Sequence, residues 1–226
     1  DRIRSYPIFF TKRNFQITNN ARLLDTDKYN LNNSSINHIL MAGYCVGSTT
    51  IYDEIEQLLA GTYLIYKKKS KEINFNRYFN FLPTQIISDD ISDLRTNLFS
   101  IFNHTFDNLC NKLNDRPVYI PLSGGLDSRL ILSLLVLKKY KNIYTFTYGP
   151  KFNDEAKIAK YVANKLGVPW HFLPDTSKNQ NVFLSNDRIN YWKYSDNLST
   201  IPVMQEYYTL KNLKNSNYFK KNSVII

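Results

Sequence analysis

Val118-Tyr119-Ile120-Pro121-Leu122-Ser123-Gly124-Gly125-Leu126-Asp127-Ser128-Arg129 runs from an apolar, β-branched segment through a glycine turn into the apolar run Leu130 to Leu137. The pattern predicts a strand, a tight turn and a helix. Such a turn gathers backbone N–H groups at a helix N-terminus, where the unsatisfied donors and the helix dipole both favour negative charge. Gly124 and Gly125 can take dihedrals closed to other residues and let a ligand approach the backbone. Ser123 and Ser128 add hydroxyls. Asp127 repels an anion, so its expected task is Mg²⁺, which takes carboxylate and phosphate oxygens. No Gly-Lys-Ser/Thr follows, so this is not the P-loop pattern. Pro121 conflicts with a central strand, because it removes a ladder donor.

The chain has 226 residues, enough for one large domain or two small ones, and its 43% hydrophobic content supports a packed core. No apolar run is long enough to span a bilayer, and the first residues do not read as a signal peptide. Cys45 and Cys110 are far apart, and with only three His (His38, His104, His171) no metal-ligand spacing occurs. These features argue for a reducing cytoplasm and against a membrane partner. The formal charge of +10 is spread along the chain. The dense cluster Lys67-Lys68-Lys69 with Lys71 reads as a solvated hairpin turn, so nucleic acid is not the expected partner.

Tyr6 to Phe10 and Phe15 to Thr18 read as strands joined at Lys12-Arg13-Asn14. Ile36 to Ala42 and Ile51 to Leu59 read as short helices, the latter with Ile51, Ile55, Leu58 and Leu59 on one side. Thr62 to Tyr66 and Glu72 to Tyr78 read as a hairpin. Phe79 to Asp90, with Pro83, reads as a linker. Ser92 to Leu113 is predicted as a helix capped by Ser92 or Asp93, with one stripe of Leu94, Leu98, Ile101, Phe102, Phe106, Leu109 and Leu113. After the loop helix, strand Ile143 to Tyr148, helix Glu155 to Leu166 and strand Trp170 to Leu173 alternate. That helix turns Ala156, Ile158, Ala159, Val162, Ala163 and Leu166 inward. Helical stretches near Arg188 to Tyr194 and Val203 to Leu213 then lead to a buried strand opening at Ser223. The alternation argues for a doubly wound parallel sheet, with ligands at the carboxyl ends of its strands, where Ser123 and Gly149 fall.

The hexapeptide Ser123 to Ser128 resembles the pyrophosphate loop of ATP-pyrophosphatase domains, and several signposts extend the likeness. Ser5-Tyr6-Pro7, Leu59-Ala60-Gly61-Thr62-Tyr63-Leu64, Arg77-Tyr78-Phe79, Pro117 to Ser128, Thr145-Phe146-Thr147-Tyr148-Gly149 and Asp154-Glu155 to Gly167 follow one another as in the asparagine synthase (glutamine-hydrolysing) family. The resemblance implies an α/β fold with a doubly wound parallel sheet of the ATP-pyrophosphatase (adenine nucleotide alpha hydrolase-like) type. An incomplete antiparallel α+β glutaminase-like (Ntn) portion would precede it. The implied domains are residues 1–82, the end of the glutaminase-like domain, and 83–226, the first part of the ATP-binding domain. It implies ATP and Mg²⁺ as cofactors, with ATP held by Leu122, Ser123, Gly124, Gly125, Leu126, Asp127, Ser128, Tyr148 and Gly149, and Mg²⁺ at Asp127. Leu122 and Tyr148 match the family's adenine contacts. The implied enzyme is a cytoplasmic glutamine-dependent ligase that activates a carboxylate, aspartate or a related acid, as an acyl-adenylate for ammonia from glutamine. A homodimer of a full-length parent is compatible with it.

The departures shape the expectation. Neither Cys45 nor Cys110 stands where the family's glutaminase nucleophile would. That residue is expected before Asp1, and a second Ser-Gly turn after Ile226, so the chain is expected to be partial. Arg129 replaces the usual small residue and hints at a different acceptor acid. Another ATP-pyrophosphatase, such as a tRNA-modifying enzyme, or a non-catalytic nucleotide-binding module are the alternatives.

Overall fold

The computed structural model describes residues 1–82, 88–151, 153–174 and 185–226. They form two compact units: one within Asp1–Ile86 together with Ser185–Met204, the other within Ile87–Leu184 together with Gln205–Ile226. Part of the linker expected over Phe79 to Asp90, Pro83 included, lies outside the described residues.

In the first unit, β1 (Phe9–Thr11) is the central strand of a three-stranded sheet, between β2 (Ile17–Thr18) and β3 (Ile55–Gln57). β3 corrects the helix expected over Ile51 to Leu59. Its register against β1 is antiparallel, Phe9↔Gln57 to Thr11↔Ile55, with Ile55 and Gln57 buried and Glu56 facing out. Over so short a run the spacing of Ile51, Ile55 and Leu59 fits either period, and β-branched isoleucine favours the strand. Thr50 also donates from its hydroxyl to the Ile55 carbonyl at 2.9 Å, a local bond that competes with helix. The hairpin β4 (Thr62–Lys67) and β5 (Glu72–Arg77) forms as expected, closing at Lys67↔Glu72 around the lysine turn. Gly61 opens it at φ +63, and a Cβ there would sit 2.2 Å from the Phe79 carbonyl oxygen, so only glycine fits. The helix α1 (Asn33–Ala42) is capped by the Asn32 side chain and ends on left-handed Gly43.

The segment Ser185–Met204, which contains the helix α5 (Asn186–Ser195), packs in this unit although the hairpin precedes it by more than a hundred residues of sequence. Asp196 accepts two hydrogen bonds from the Arg22 guanidinium, one of them 2.8 Å from Nε. The carboxylate side chain is 7% exposed. Backbone bonds Cys45 N–H to Ser199 O (2.7 Å), Ile51 N–H to Leu198 O (2.9 Å) and Ile201 N–H to Gly43 O (2.7 Å) thread the segment through the unit. Leu198 joins Phe9, Ala21, Leu24 and Ile55 in its core.

The second unit is a four-stranded, wholly parallel sheet in the order β8 (Trp170–Pro174), β7 (Ile143–Gly149), β6 (Val118–Pro121), β9 (Val224–Ile225). Side chains alternate between two faces. Val118, Ile120, Leu122 and Ile143 face a cluster with Phe106 and Leu113 of α2 (Ile91–Leu113), Leu132, Leu134 and Leu135 of α3 (Leu126–Leu137), and Ala159 and Ala163 of α4 (Asp154–Lys165). Tyr119 and Phe146 face Leu213 of α6 (Met204–Asn215), Tyr218 and Phe219. Helices cover both faces, so the sheet is doubly wound.

Four details differ from expectation. α2 is capped by Asp90, whose carboxylate accepts the Ile91 N–H at 2.7 Å. Only the C-terminal part of its stripe packs; Leu98 is 52% and Ile101 62% exposed. Ile158 on α4 is 42% exposed rather than inward, because the small residues Ala156, Ala159 and Ala163 take the sheet-facing side. β9 is an edge strand with Ile225 43% exposed, not a buried one. The Pro121 conflict disappears in the register. Val118 and Leu122 donate to Asn142 and Phe146 on the β7 side, so the donor that proline lacks would point to the β9 side. There the pairs run only from Val118 to Tyr119.

Candidate functional site

The second unit carries the phosphate-loop candidate at the carboxyl end of β6. The connection through α3 goes to β7 on one side, whereas α6 leads to β9 on the other, so β6 borders the point where the strand order reverses. Ligands of open α/β sheets sit in that crevice.

The loop is organised by its own serines. Ser123 N–H donates to Ser128 Oγ at 3.0 Å, the two hydroxyls lie 3.0 Å apart, and Gly125 N–H donates to Ser123 Oγ at 3.1 Å. Gly125 is the N-cap residue of α3 and supplies no side-chain cap, so the first-turn N–H groups receive none from it. Neither Gly124 nor Gly125 has positive φ, so the loop does not use the left-handed freedom that glycine allows. Gly125 sits in extended backbone at φ −72. Gly124 is required for close approach instead: a Cβ there would lie 3.1 Å from the Glu155 Cα on the first turn of α4. The loop is therefore wedged against α4, whose start is held by Asn153 accepting the Glu155 N–H at 2.8 Å.

Asp127 and Leu126 are exposed and border a groove of about 510 Å³ between α3 and α4, with Arg129, Tyr161 and Lys165. Arg129 turns back on the loop, its Nε donating to the Gly125 carbonyl at 2.8 Å. Among the described residues, no three His, Cys, Asp or Glu come together as a metal cluster. Leu122 is 1% exposed in the core of the α2–α3–α4 face. Its N–H donates to Phe146 O at 2.8 Å, and its carbonyl accepts from Thr147 Oγ1 at 2.6 Å. Tyr148 lies on the opposite face. With Pro121, Phe146, Glu206, Thr209, Leu210 and Ile225 it lines a cavity of about 200 Å³. Gly149 ends β7 at φ +138.

The structure thus brings Ser123, Gly124, Gly125 and Ser128 together and places Tyr148 at a neighbouring cavity. It leaves the Leu122 side chain in the core. Glu155, Glu206 and Thr209 were not singled out in sequence; nothing in a helical polar pattern marks the last two, which arrive from α6, more than fifty residues beyond Tyr148. Burial pushes the thiols of Cys45 and Cys110 above their ordinary values, so both stay protonated at neutral pH.

Residues 110–179 match the family model for asparagine synthase. This segment is similar to the asparagine synthase family. The match covers the end of α2, the loop and the β6-α3-β7-α4-β8 succession, the same stretch that carries the loop geometry. No curated protein sequence matches the chain. Among solved structures, an NH3-dependent NAD synthetase from Campylobacter jejuni, in complex with the nitrate ion, is similar at 14% identity and a TM-score of 0.40. That likeness covers 56% of this chain and 54% of the synthetase, so the chain spans about half the length of that protein. Among the described residues no helix is long and apolar enough to cross a membrane.

Proposed function

We propose that the second unit is the nucleotide-binding part of an ATP-dependent, amide-forming ligase of the ATP-pyrophosphatase type. The observation that carries this reading is the Ser123-Gly124-Gly125 loop, self-braced by Ser128, on an α3 start without a side-chain cap, inside the asparagine synthase segment. The first-turn N–H groups of α3 and the serine hydroxyls receive the phosphates of ATP. The braced loop keeps these donors in place before charge grows on the leaving pyrophosphate, so little reorganisation is needed during the reaction. Mg²⁺ fits this donor set, because it is held by one or two carboxylates with substrate phosphates rather than by a protein cage, and Asp127 is an exposed carboxylate beside the loop. When bound, it neutralises phosphate charge.

The reaction class is attack of an acceptor carboxylate on the α-phosphate, giving an acyl-adenylate and pyrophosphate; ammonia, derived from glutamine, then displaces AMP and leaves the amide. Aspartate or a related acid is the acceptor.

The test is calorimetric titration of the chain with ATP, with and without Mg²⁺, beside Asp127→Ala. Mg²⁺-dependent binding is expected for the parent, and its loss is expected in the variant with unchanged circular dichroism, because Asp127 is exposed. Equal Mg²⁺-dependent affinity in both proteins would remove Asp127 from the metal site. No binding by the parent would remove the nucleotide reading.

A further inference from the structure

Gly125 is gripped at both of its peptide groups. Its N–H donates to Ser123 Oγ at 3.1 Å, and its carbonyl accepts from Arg129 Nε at 2.8 Å. The second bond reaches back one turn of α3, from Arg129 to the N-cap residue. An N-cap carbonyl already accepts the first intrahelical N–H, so Arg129 brings a further donor to it. Glycine restrains its own dihedrals least, so the Gly124-Gly125 step gains most from a clamp supplied by another residue. A peptide unit is planar and trans, so its C=O and N–H point in opposite directions. Drawing the Gly125 carbonyl toward Arg129 therefore turns the Leu126 N–H outward from the start of α3, where the N-cap residue offers no side-chain acceptor. Arg129 is half-buried, and among the described residues it forms no ion pair. Its charge is left for an anion at the loop.

We propose that Arg129 is a positioning residue for the pyrophosphate portion of ATP: it clamps Gly125 so that the Leu126 N–H meets the phosphates, and it adds a positive charge beside them. This rests on the ATP reading of the loop. Arg129 acts through the Gly125 peptide and through its field, so it need not touch the nucleotide. Clamp and charge are separable by substitution. Glutamine carries its amide nitrogen as many bonds from Cα as arginine carries Nε, so Arg129→Gln keeps a donor for the Gly125 carbonyl and removes the charge. Arg129→Lys keeps the charge and has no donor at that distance. Arg129→Met has similar length and removes both.

The experiment is calorimetric titration of the full chain with MgATP, and with pyrophosphate in the presence of Mg²⁺, at low and at high ionic strength. The proteins are the parent, Arg129→Gln, Arg129→Lys and Arg129→Met. Arg129→Gln is expected to bind both ligands about fivefold more tightly than Arg129→Met at either ionic strength, the effect of one hydrogen bond. The parent is expected to exceed Arg129→Gln at low ionic strength, and this advantage is expected to shrink as salt screens the charge. Arg129→Lys is expected to lose the salt-insensitive part and keep the salt-sensitive one. Arg129→Gln no better than Arg129→Met, or Arg129→Lys equal to the parent at both ionic strengths, would overturn the clamp. A parent no better than Arg129→Met would overturn the whole proposal and leave the loop reading intact. Binding of neither ligand by the parent would overturn both readings. Circular dichroism and the urea midpoint of each variant check folding, and the Gln and Lys comparison stands if Arg129→Met does not fold.

Discussion

Gly124→Ala tests the wedge between the loop and α4. The new Cβ would stand 3.1 Å from both Cα and Cγ of Glu155 and 3.2 Å from its Cβ. Carbon atoms rest at roughly 3.5–4.0 Å, so the shortfall is about 0.5 Å. The Glu155 side chain can swing its Cγ away, but its Cα belongs to the backbone of α4. That helix is fixed on the sheet by buried Ala156, Ala159 and Ala163 and at its start by the Asn153 cap. Either α4 or the loop must shift. Overpacking of this kind costs about 1–3 kcal/mol, and one contact layer at the edge of the core belongs at the low end, about 1–2 kcal/mol. Nucleotide affinity is expected to fall about tenfold, because donors displaced by a fraction of an ångström meet the phosphates poorly. Urea denaturation followed by circular dichroism reads the stability, and calorimetry with MgATP reads the site. Glu155→Ala in the same chain removes only the Cγ contact, so the double variant is expected to recover less than half of the loss. Gly124→Ala with parental midpoint and affinity would refute the wedge, and full rescue by Glu155→Ala would place the clash on the side chain alone.

Two further outcomes concern the framework. Asp196→Ala leaves the Arg22 guanidinium without its two carboxylate bonds and removes the acceptor for the Leu198 N–H, and a loss of about 2–3 kcal/mol is expected in denaturant unfolding of the first unit; a change below about 0.5 kcal/mol would show that the pair is solvated. Tyr218 is pushed up to about 12 by burial first and by the neighbouring Tyr119 and Tyr144 after it, and its hydroxyl donates to Thr145 O at 3.1 Å. Its folded value is above the ordinary 10, so the folded state holds the proton more tightly. That stabilisation is complete below pH 10 and is lost as pH rises toward 12. Tyr218→Phe is expected to flatten this alkaline decline in thermal unfolding, and an unchanged slope would assign it to other groups.

Local windows of sequence determined much of this protein. The run from Val118 to Ser128 specified strand, turn and helix, because β-branched residues, a Ser-Gly-Gly turn and an apolar helical run each act within a few residues. The hairpin around the lysine turn, the α4 helix with its Gly167 ending and the parallel alternation of the second unit follow from the same short-range chemistry. Where two periods fit one short run, as at Ile51 to Leu59, sequence alone misled, and the antiparallel partner β1 settled the matter. The tertiary structure alone decided which segments from far along the chain meet. It put Asp196 on Arg22, returned β9 to the side of β6 opposite β7, and carried Glu206 to the cavity beside Tyr148. It also buried Phe106 and Leu113 while leaving Leu98 exposed on the same apolar stripe of α2. These outcomes depend on which faces bury against each other, and burial is proportional to apolar area removed from water rather than to any local motif, so no short window of sequence contains them.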